Sequence, residues 1–148
     1  MFDLRLYATI CLLALAISAG QPAVARDAGD DQEKVVYHVN ESDNATAALR
    51  NIGNHLDATG GKAKIVVVTH AKGIDFLLDG AQDKNGNPYN IPVEKLKDRG
   101  VDFRVCAITL KTRNIDPKKV IPEASIVPSG VAEIGKLQAR EGFVYLKP

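Results

Sequence analysis

Chemistry in this chain has one obvious nucleophile to start from, Cys106 in the stretch "VDFRVCAITL" at 101–110. Read as a strand, the stretch puts Val101, Phe103, Val105 and Ala107 on one side and Asp102, Arg104 and Cys106 on the other. The first side is wholly apolar and the second is not. A guanidinium two residues from a thiol favours the thiolate, the nucleophilic form. The same residue type also serves as a small hydrophobe packed in a strand, as free cysteines commonly do. Spacing alone leaves both roles open.

Other polar residues fall where strands should end. His38 and Asn40 close the first strand-like run, Thr69 and His70 the second, and Cys106 and Thr109 the third. Pro128, Ser129 and Gly130 join the fourth run to a helix start. In an open parallel sheet these groups gather at one rim, where such sheets bind ligands. Amides at the Ser129–Gly130 helix start could hold an anion there, and Ser129 alone would serve as a helix cap. His70 has a simpler role too, a hydrogen bond closing the strand end. His38 reads as packed in its strand, and His55 as a solvent-facing helix residue. Cys106, His38 and His70 lack the short ligand spacing of a metal site, so no metal or other cofactor is expected. There is no GxGxxG after a strand, Walker loop, CxxC or GxSxG.

The elements that must position these groups alternate along the chain. "KVVYHVN" (34–40) reads as a strand. Ser42 or Asp43 can cap the helix that follows, with Leu49, Ile52 and Leu56 on its apolar face and Gly60–Gly61 as its stop. "KIVVVTH" (64–70) is apolar without alternation, as in a central strand buried on both faces. "AKGIDFLLDGA" suits a short helix, and 82–90 is turn-rich. Pro92 fits the first turn of a helix that Gly100 ends. The third strand is read over 101–109, followed by a polar connection with a helical turn. "SIVPS" is a fourth strand. Ser129 caps a helix with Val131, Ile134 and Leu137 facing inward, Gly142 stops it, and "FVYLKP" (143–148) is the fifth strand. The expected fold is a small single-domain α/β sandwich, a mainly parallel five-stranded sheet flanked by helices with right-handed crossovers. Short helices and the mixed third strand suggest surface covered by other subunits.

The chain has 148 residues, 45% apolar and 25% charged, with formal net charge +1, so one domain is the prior and no basic surface points to nucleic acid. Its start reads as an export signal over 1–25. Arg5 and the α-amine precede the uncharged run "LYATICLLALAISA", which is short for a membrane span, and Ala23 and Ala25 suit a signal peptidase. Cleavage is expected after Ala25, with a flexible acidic leader over 26–33, a domain over 34–148, and no membrane attachment afterwards. Cys11 leaves with the signal. Cys106 is then the single cysteine of an exported chain, with no internal disulfide partner.

The chain resembles the DsrE/DsrF-like family of small sulfur-relay proteins, in its exported branch. The resemblance runs over about 34–148 and is carried by "KVVYHVN", "KIVVVTHAKGIDFLLDGA", "GVDFRVCAITL" and, most specifically, "IVPSGVAEIGKLQAREGFVYLKP". It implies a parallel α/β fold and assembly into oligomers, often trimers or hexamers. In sulfur-transferring members a cysteine near the third strand's end accepts sulfane sulfur as a persulfide, and Cys106 matches that position. The implied protein is a periplasmic carrier that loads from a donor and delivers to a partner thiol. Arg104 or His70 would stabilise the thiolate, while Thr109 and the Ser129–Gly130 amides hold an anionic donor. The other expectation is an oligomeric ligand-binding or redox-sensing module in which Cys106 is structural or interfacial.

Overall fold

The structure, a computed structural model, describes residues 32–148. The expected signal, its cleavage point, Cys11 and all but the end of the leader lie outside the described residues. That end is engaged: the Gln32 amide donates to the Lys62 carbonyl at 2.9 Å, and Glu33 meets His55 Nε2 at 2.9 Å.

Five strands form one all-parallel sheet: β1 (Lys34–Val39), β2 (Lys64–Thr69), β3 (Asp102–Cys106), β4 (Ala124–Val127) and β5 (Val144–Leu146). Their spatial order is β4-β3-β2-β1-β5. The helices are α1 (Ala45–Ala58), α2 (Asn90–Asp98), α3 (Ala107–Thr112) and α4 (Gly130–Glu141). The chain steps outward from β1 to β4, then α4 carries it back across the sheet to β5 on the far side of β1. With right-handed crossovers, reversing the direction of travel puts α4 on the opposite face from the earlier helices. The two apolar clusters agree. One joins Val35, Ile65, Val67, Phe103 and Val105 to Leu49 and Ile52 of α1, Val93 of α2 and Leu110 of α3. The other joins Val36, Val66 and Val68 to Ile134 and Leu137 of α4 and to Phe143.

β2 is buried from Ile65 to Thr69, which explains its unbroken apolar run. Gly60 and Gly61 end α1 at φ +60° and +76°, and Gly142 ends α4 at φ +75°. Ser129 caps α4, its Oγ accepting from the Ala132 amide at 3.4 Å.

Five local readings are corrected. β3 stops at Cys106, and Ala107, Ile108 and Thr109 open α3 instead of extending the strand. The β-branched pair Ile108–Thr109 imitates a strand, but burial of Leu110 in the main core and of Thr109 at the sheet rim overrides that local preference. The segment expected as a short helix after His70 is a 3-10 helix, Ala71–Leu77. Neither Ser42 nor Asp43 caps α1, because a 3-10 turn over Ser42–Asn44 leads directly into it and no side chain bonds the free amides. Val131 is 66% exposed, not inward, since the buried stripe of α4 runs through Gly130, Ile134 and Leu137. His55 is not solvent-facing, its Nδ1 lying 2.9 Å from the Tyr37 hydroxyl while Nε2 meets Glu33.

Candidate functional site

The connections leaving β3 and β4 turn to opposite faces of the sheet, α3 to one and α4 to the other. Neighbouring strands whose connections diverge leave a crevice at their carboxyl ends, the usual ligand position in open α/β sheets. Cys106 is the last residue of β3 and pairs in register with Val127 of β4. Pro128, Ser129 and Gly130 follow at once. The thiol therefore stands between the first turns of α3 and α4.

Gly130 fits the thiol closely. A Cβ on Gly130 would lie 3.1 Å from the Thr69 carbonyl oxygen, 3.2 Å from Cys106 Cβ and 3.3 Å from His70 Cβ. The glycine lets the start of α4 settle onto the ends of β2 and β3, and makes Cys106 and His70 neighbours. Cys106 is only 4% exposed. Burial is the largest single influence on its thiol and resists ionisation. It is overcome by the Gly130 amide, the amide and hydroxyl of Thr109 and the Ile108 amide, all donating toward the sulfur. The thiol therefore ionises below its ordinary range, which favours the nucleophilic form.

Thr109 ties this cluster to the neighbouring loop. Its hydroxyl oxygen accepts from the Ala71 amide at 3.1 Å, and the same hydroxyl helps to lower the Cys106 pKa. Ala71 is held at φ +53°, a left-handed conformation unusual for a residue with a side chain. Its carbonyl accepts from Arg113 Nη1 at 3.0 Å, and the same guanidinium nitrogen reaches Asp75 at 2.6 Å. Two residues on, Gly73 donates its amide to the Asn40 carbonyl at 3.0 Å. These bonds fix the segment after His70 over the ends of β1 and β3.

The histidines form a chain of their own. His38 Nε2 lies 2.7 Å from His70 Nε2, and His38 Nδ1 lies 2.7 Å from the Tyr145 hydroxyl. Parallel pairing of β1 with β5 sets Tyr145 beside Val36, on the sheet face that His38 shares. Burial above all, then His70 and Lys147, lowers the His38 pKa to about 4. Burial, followed by Lys147, also lowers that of His70. Both rings are neutral near pH 7.

Arg104 is engaged elsewhere. Its guanidinium bonds Asp102 through Nε at 2.9 Å and Nη2 at 2.6 Å, and Nη1 bonds Glu133 of α4. Burial disfavours its charge, but Asp102 and Glu133 more than compensate. Arg104 thus binds α4 to β3, and the donors at Cys106 come from Gly130, Thr109 and Ile108. Among the residues singled out from sequence, the structure gathers Cys106, Thr109, Gly130 and His70, with His38 linked through His70. Asn40 contributes a backbone carbonyl and Ser129 a helix cap. The sequence reading missed Tyr145, Ala71, Gly73 and the Ile108 amide. Only Gly73 carried a signal, a glycine soon after a strand end.

A surface concavity of about 500 Å³ lies between α1 and α2, with Leu49, Tyr89, Ile91 and Leu96 in its lining and Cys106 outside it. Among the described residues, no three His, Cys, Asp or Glu side chains converge as a metal site would require, and no helix is long and apolar enough to cross a membrane.

Comparison with known proteins gives the fold its relatives. A protein of unknown function from Methanobacterium thermoautotrophicum, MTH1491, superposes with a TM-score of 0.65 at 28% identity, covering 79% of this chain and 100% of its own. The ychN protein from E. coli superposes at 0.64 with 16% identity and the same coverages. No curated protein matches the chain. The DsrE/DsrF-like family model matches residues 33–148, which include every element described above, and the chain belongs to that family.

Proposed function

We propose that this protein is a periplasmic sulfur carrier in which Cys106 accepts a sulfane sulfur as a persulfide and passes it to a partner thiol. The observation that carries the reading is the place of Cys106 at the end of β3, in the crevice between β3 and β4, with Gly130 and His70 packed beside it and the nearby Gly130, Thr109 and Ile108 groups lowering its pKa. Family membership supports the reaction class, and the leader-like start of the sequence supports export. The Cys106 thiolate attacks the outer sulfur of a donor persulfide. A new S–S bond forms, the donor's S–S bond breaks, and its electron pair leaves on the donor thiolate. An acceptor thiolate then attacks the outer sulfur on Cys106, whose thiolate departs. No oxidant, metal or cofactor enters either step. The amides that favour the Cys106 thiolate also make it a good leaving group.

Association of several copies, as a trimer or hexamer, belongs to the same proposal. Ile108, Ile126 and Val131 are exposed on elements around the β3–β4 end, and Val144, Tyr145 and Leu146 on edge strand β5. Unpaired edges with apolar side chains favour association.

The test is the sulfane sulfur that cyanide releases as thiocyanate after incubation with polysulfide. The proposal expects release from the wild type and none from Cys106→Ser. Equal release from both would remove Cys106 as the carrier. The 4% exposure of Cys106 favours a second reading, a ligand-binding or redox-sensing module with a structural or interfacial thiol. Under that reading a thiol reagent modifies Cys106 only after denaturation.

A further inference from the structure

We propose that Tyr145, His38 and His70 form a proton relay between solvent at edge strand β5 and the rim beside Cys106. This rests on the sulfur-carrier reading for its reaction, and on geometry for its existence. The three side chains come from β5, β1 and the residue after β2, and two contacts of 2.7 Å join them. Tyr145 is 37% exposed, so the chain begins at solvent. At the other end, the His70 and Cys106 Cβ atoms flank the same point of Gly130. His70 Nδ1 has no hydrogen-bond partner among the described residues.

Hydrogen-bond logic allows the neutral chain two states. Two imidazole nitrogens at 2.7 Å share one proton. If His38 Nε2 donates, His38 Nδ1 is bare and accepts from the Tyr145 hydroxyl, and His70 carries its proton on Nδ1. If His70 Nε2 donates, His38 Nδ1–H donates to the Tyr145 oxygen, and His70 Nδ1 is bare. A proton leaving His70 Nδ1 converts the first state into the second. The His38 Nε2 proton moves to His70 Nε2, the Tyr145 proton moves to His38 Nδ1, and water reprotonates Tyr145. One proton enters at Tyr145, one leaves at His70, and no ring becomes charged. The neutrality of both rings near pH 7, set by burial and the Lys147 ammonium, suits them to this exchange.

The two halves of sulfur transfer need these two movements. In loading, Cys106–S⁻ and R–S–SH give Cys106–S–SH and R–S⁻, and the departing thiolate takes the His70 Nδ1 proton. In delivery, an acceptor R′–SH gives its proton to the bare His70 Nδ1, and a proton leaves through Tyr145. The R′–S⁻ so formed attacks Cys106–S–SH, yielding R′–S–SH and Cys106–S⁻. The relay returns to its first state. Overall, R–S–SH and R′–SH become R–SH and R′–S–SH. His38 and Tyr145 act only through His70, as positioning and conducting groups.

The test compares wild type, Tyr145→Phe and His38→Gln in single-turnover loading from glutathione persulfide between pH 5 and 9. The relay expects Tyr145→Phe to reach the wild-type extent of loading at a rate lower by roughly tenfold or more, the scale of losing assisted proton transfer. It also expects a smaller solvent deuterium effect in the variant and recovery of rate with added imidazole. Unchanged rate, pH profile and isotope effect in Tyr145→Phe overturn it. His38→Gln should match Tyr145→Phe, and since Tyr145 is an edge-strand residue, the test stands even if His38→Gln fails to fold. Failure of the wild type to load sulfur would sink the carrier reading instead, and the relay is then decided by imidazole nitrogen-15 shifts of the sulfur-free protein. Shifts averaged between the two tautomers support it, and one fixed tautomer overturns it.

Discussion

Replacing Thr109 with valine removes one hydroxyl from two hydrogen bonds while keeping the side chain's shape. The oxygen accepts from the Ala71 amide at 3.1 Å, and the hydroxyl helps to lower the Cys106 pKa. Valine leaves the Gly130, Thr109-position and Ile108 amides in place, so the thiolate loses one donor of several. A hydrogen bond to a charged group contributes about 1.5–3 kcal/mol. Sulfur is a weak acceptor, which puts this one at the bottom of that range, about 1.5 kcal/mol, or roughly tenfold in thiolate at a given pH. The thiolate that does form is a stronger nucleophile, because reactivity follows basicity with a coefficient of about 0.4–0.5. The net expectation is an alkylation rate at neutral pH lower by roughly threefold, with the thiolate's ultraviolet absorbance appearing at higher pH. The orphaned Ala71 amide adds a stability loss of about 1–3 kcal/mol, read by urea unfolding. Thr109→Ser keeps the hydroxyl and should restore the titration. A folded Thr109→Val protein whose thiol titrates as the wild type does would refute the reasoning, because the hydroxyl would then not stabilise the thiolate.

Four further perturbations follow from the structure. Gly73→Ala should destabilise by about 3 kcal/mol or more in urea, because its Cβ would fall 2.1 Å from the Val39 carbonyl oxygen, which is backbone and cannot step aside; Gly53→Ala, in open space inside α1, should stabilise by up to about 1 kcal/mol. Gly130→Ala should slow native alkylation of Cys106 with little loss of secondary structure by circular dichroism, since its Cβ would press on Thr69, Cys106 and His70 at 3.1–3.3 Å and push the α4 amide off the sulfur. His38 titrates at about 4 when folded and near its ordinary 6.5 when unfolded, so between those values the unfolded state binds more protons and stability falls as pH falls; after allowance for partial solvent screening the loss is about 1–2 kcal/mol, and His38→Gln should flatten it in urea midpoints taken from pH 7 to pH 4.

How much of this was legible in the sequence depended on how local the cause was. β2 announced itself because burial on both faces demands an unbroken run of valines and isoleucines. The ends of α1 and α4 were legible because their glycines take left-handed conformations. The Ser129 cap needed only its hydroxyl and the helix after it. The end of β3 was misread because Ile108 and Thr109 have strand-like side chains, and what makes them helical is distant: the core around Leu110 and the Ala71 amide 38 residues upstream of Thr109. Arg104 looked like a partner for the thiol because it lies two residues away, but Asp102, just as near on the other side, takes two of its bonds, and Glu133, which takes the third, arrives only when α4 folds over β3. Tyr145 could not be linked to His38 without knowing that β5 pairs with β1, a fact set by the crossover of α4. The gathering of strand-end groups at one rim was foreseeable, because a parallel sheet brings its carboxyl ends together whatever their order.

The central claim is that Cys106 holds transferable sulfur, and intact mass of the folded protein tests it most directly. After exposure to polysulfide and removal of excess reagent, the account predicts added sulfur atoms on the wild type, removable by a reductant, and none on Cys106→Ser. A wild-type mass without added sulfur, in a protein whose thiol reacts only after unfolding, would contradict it and make Cys106 a structural residue.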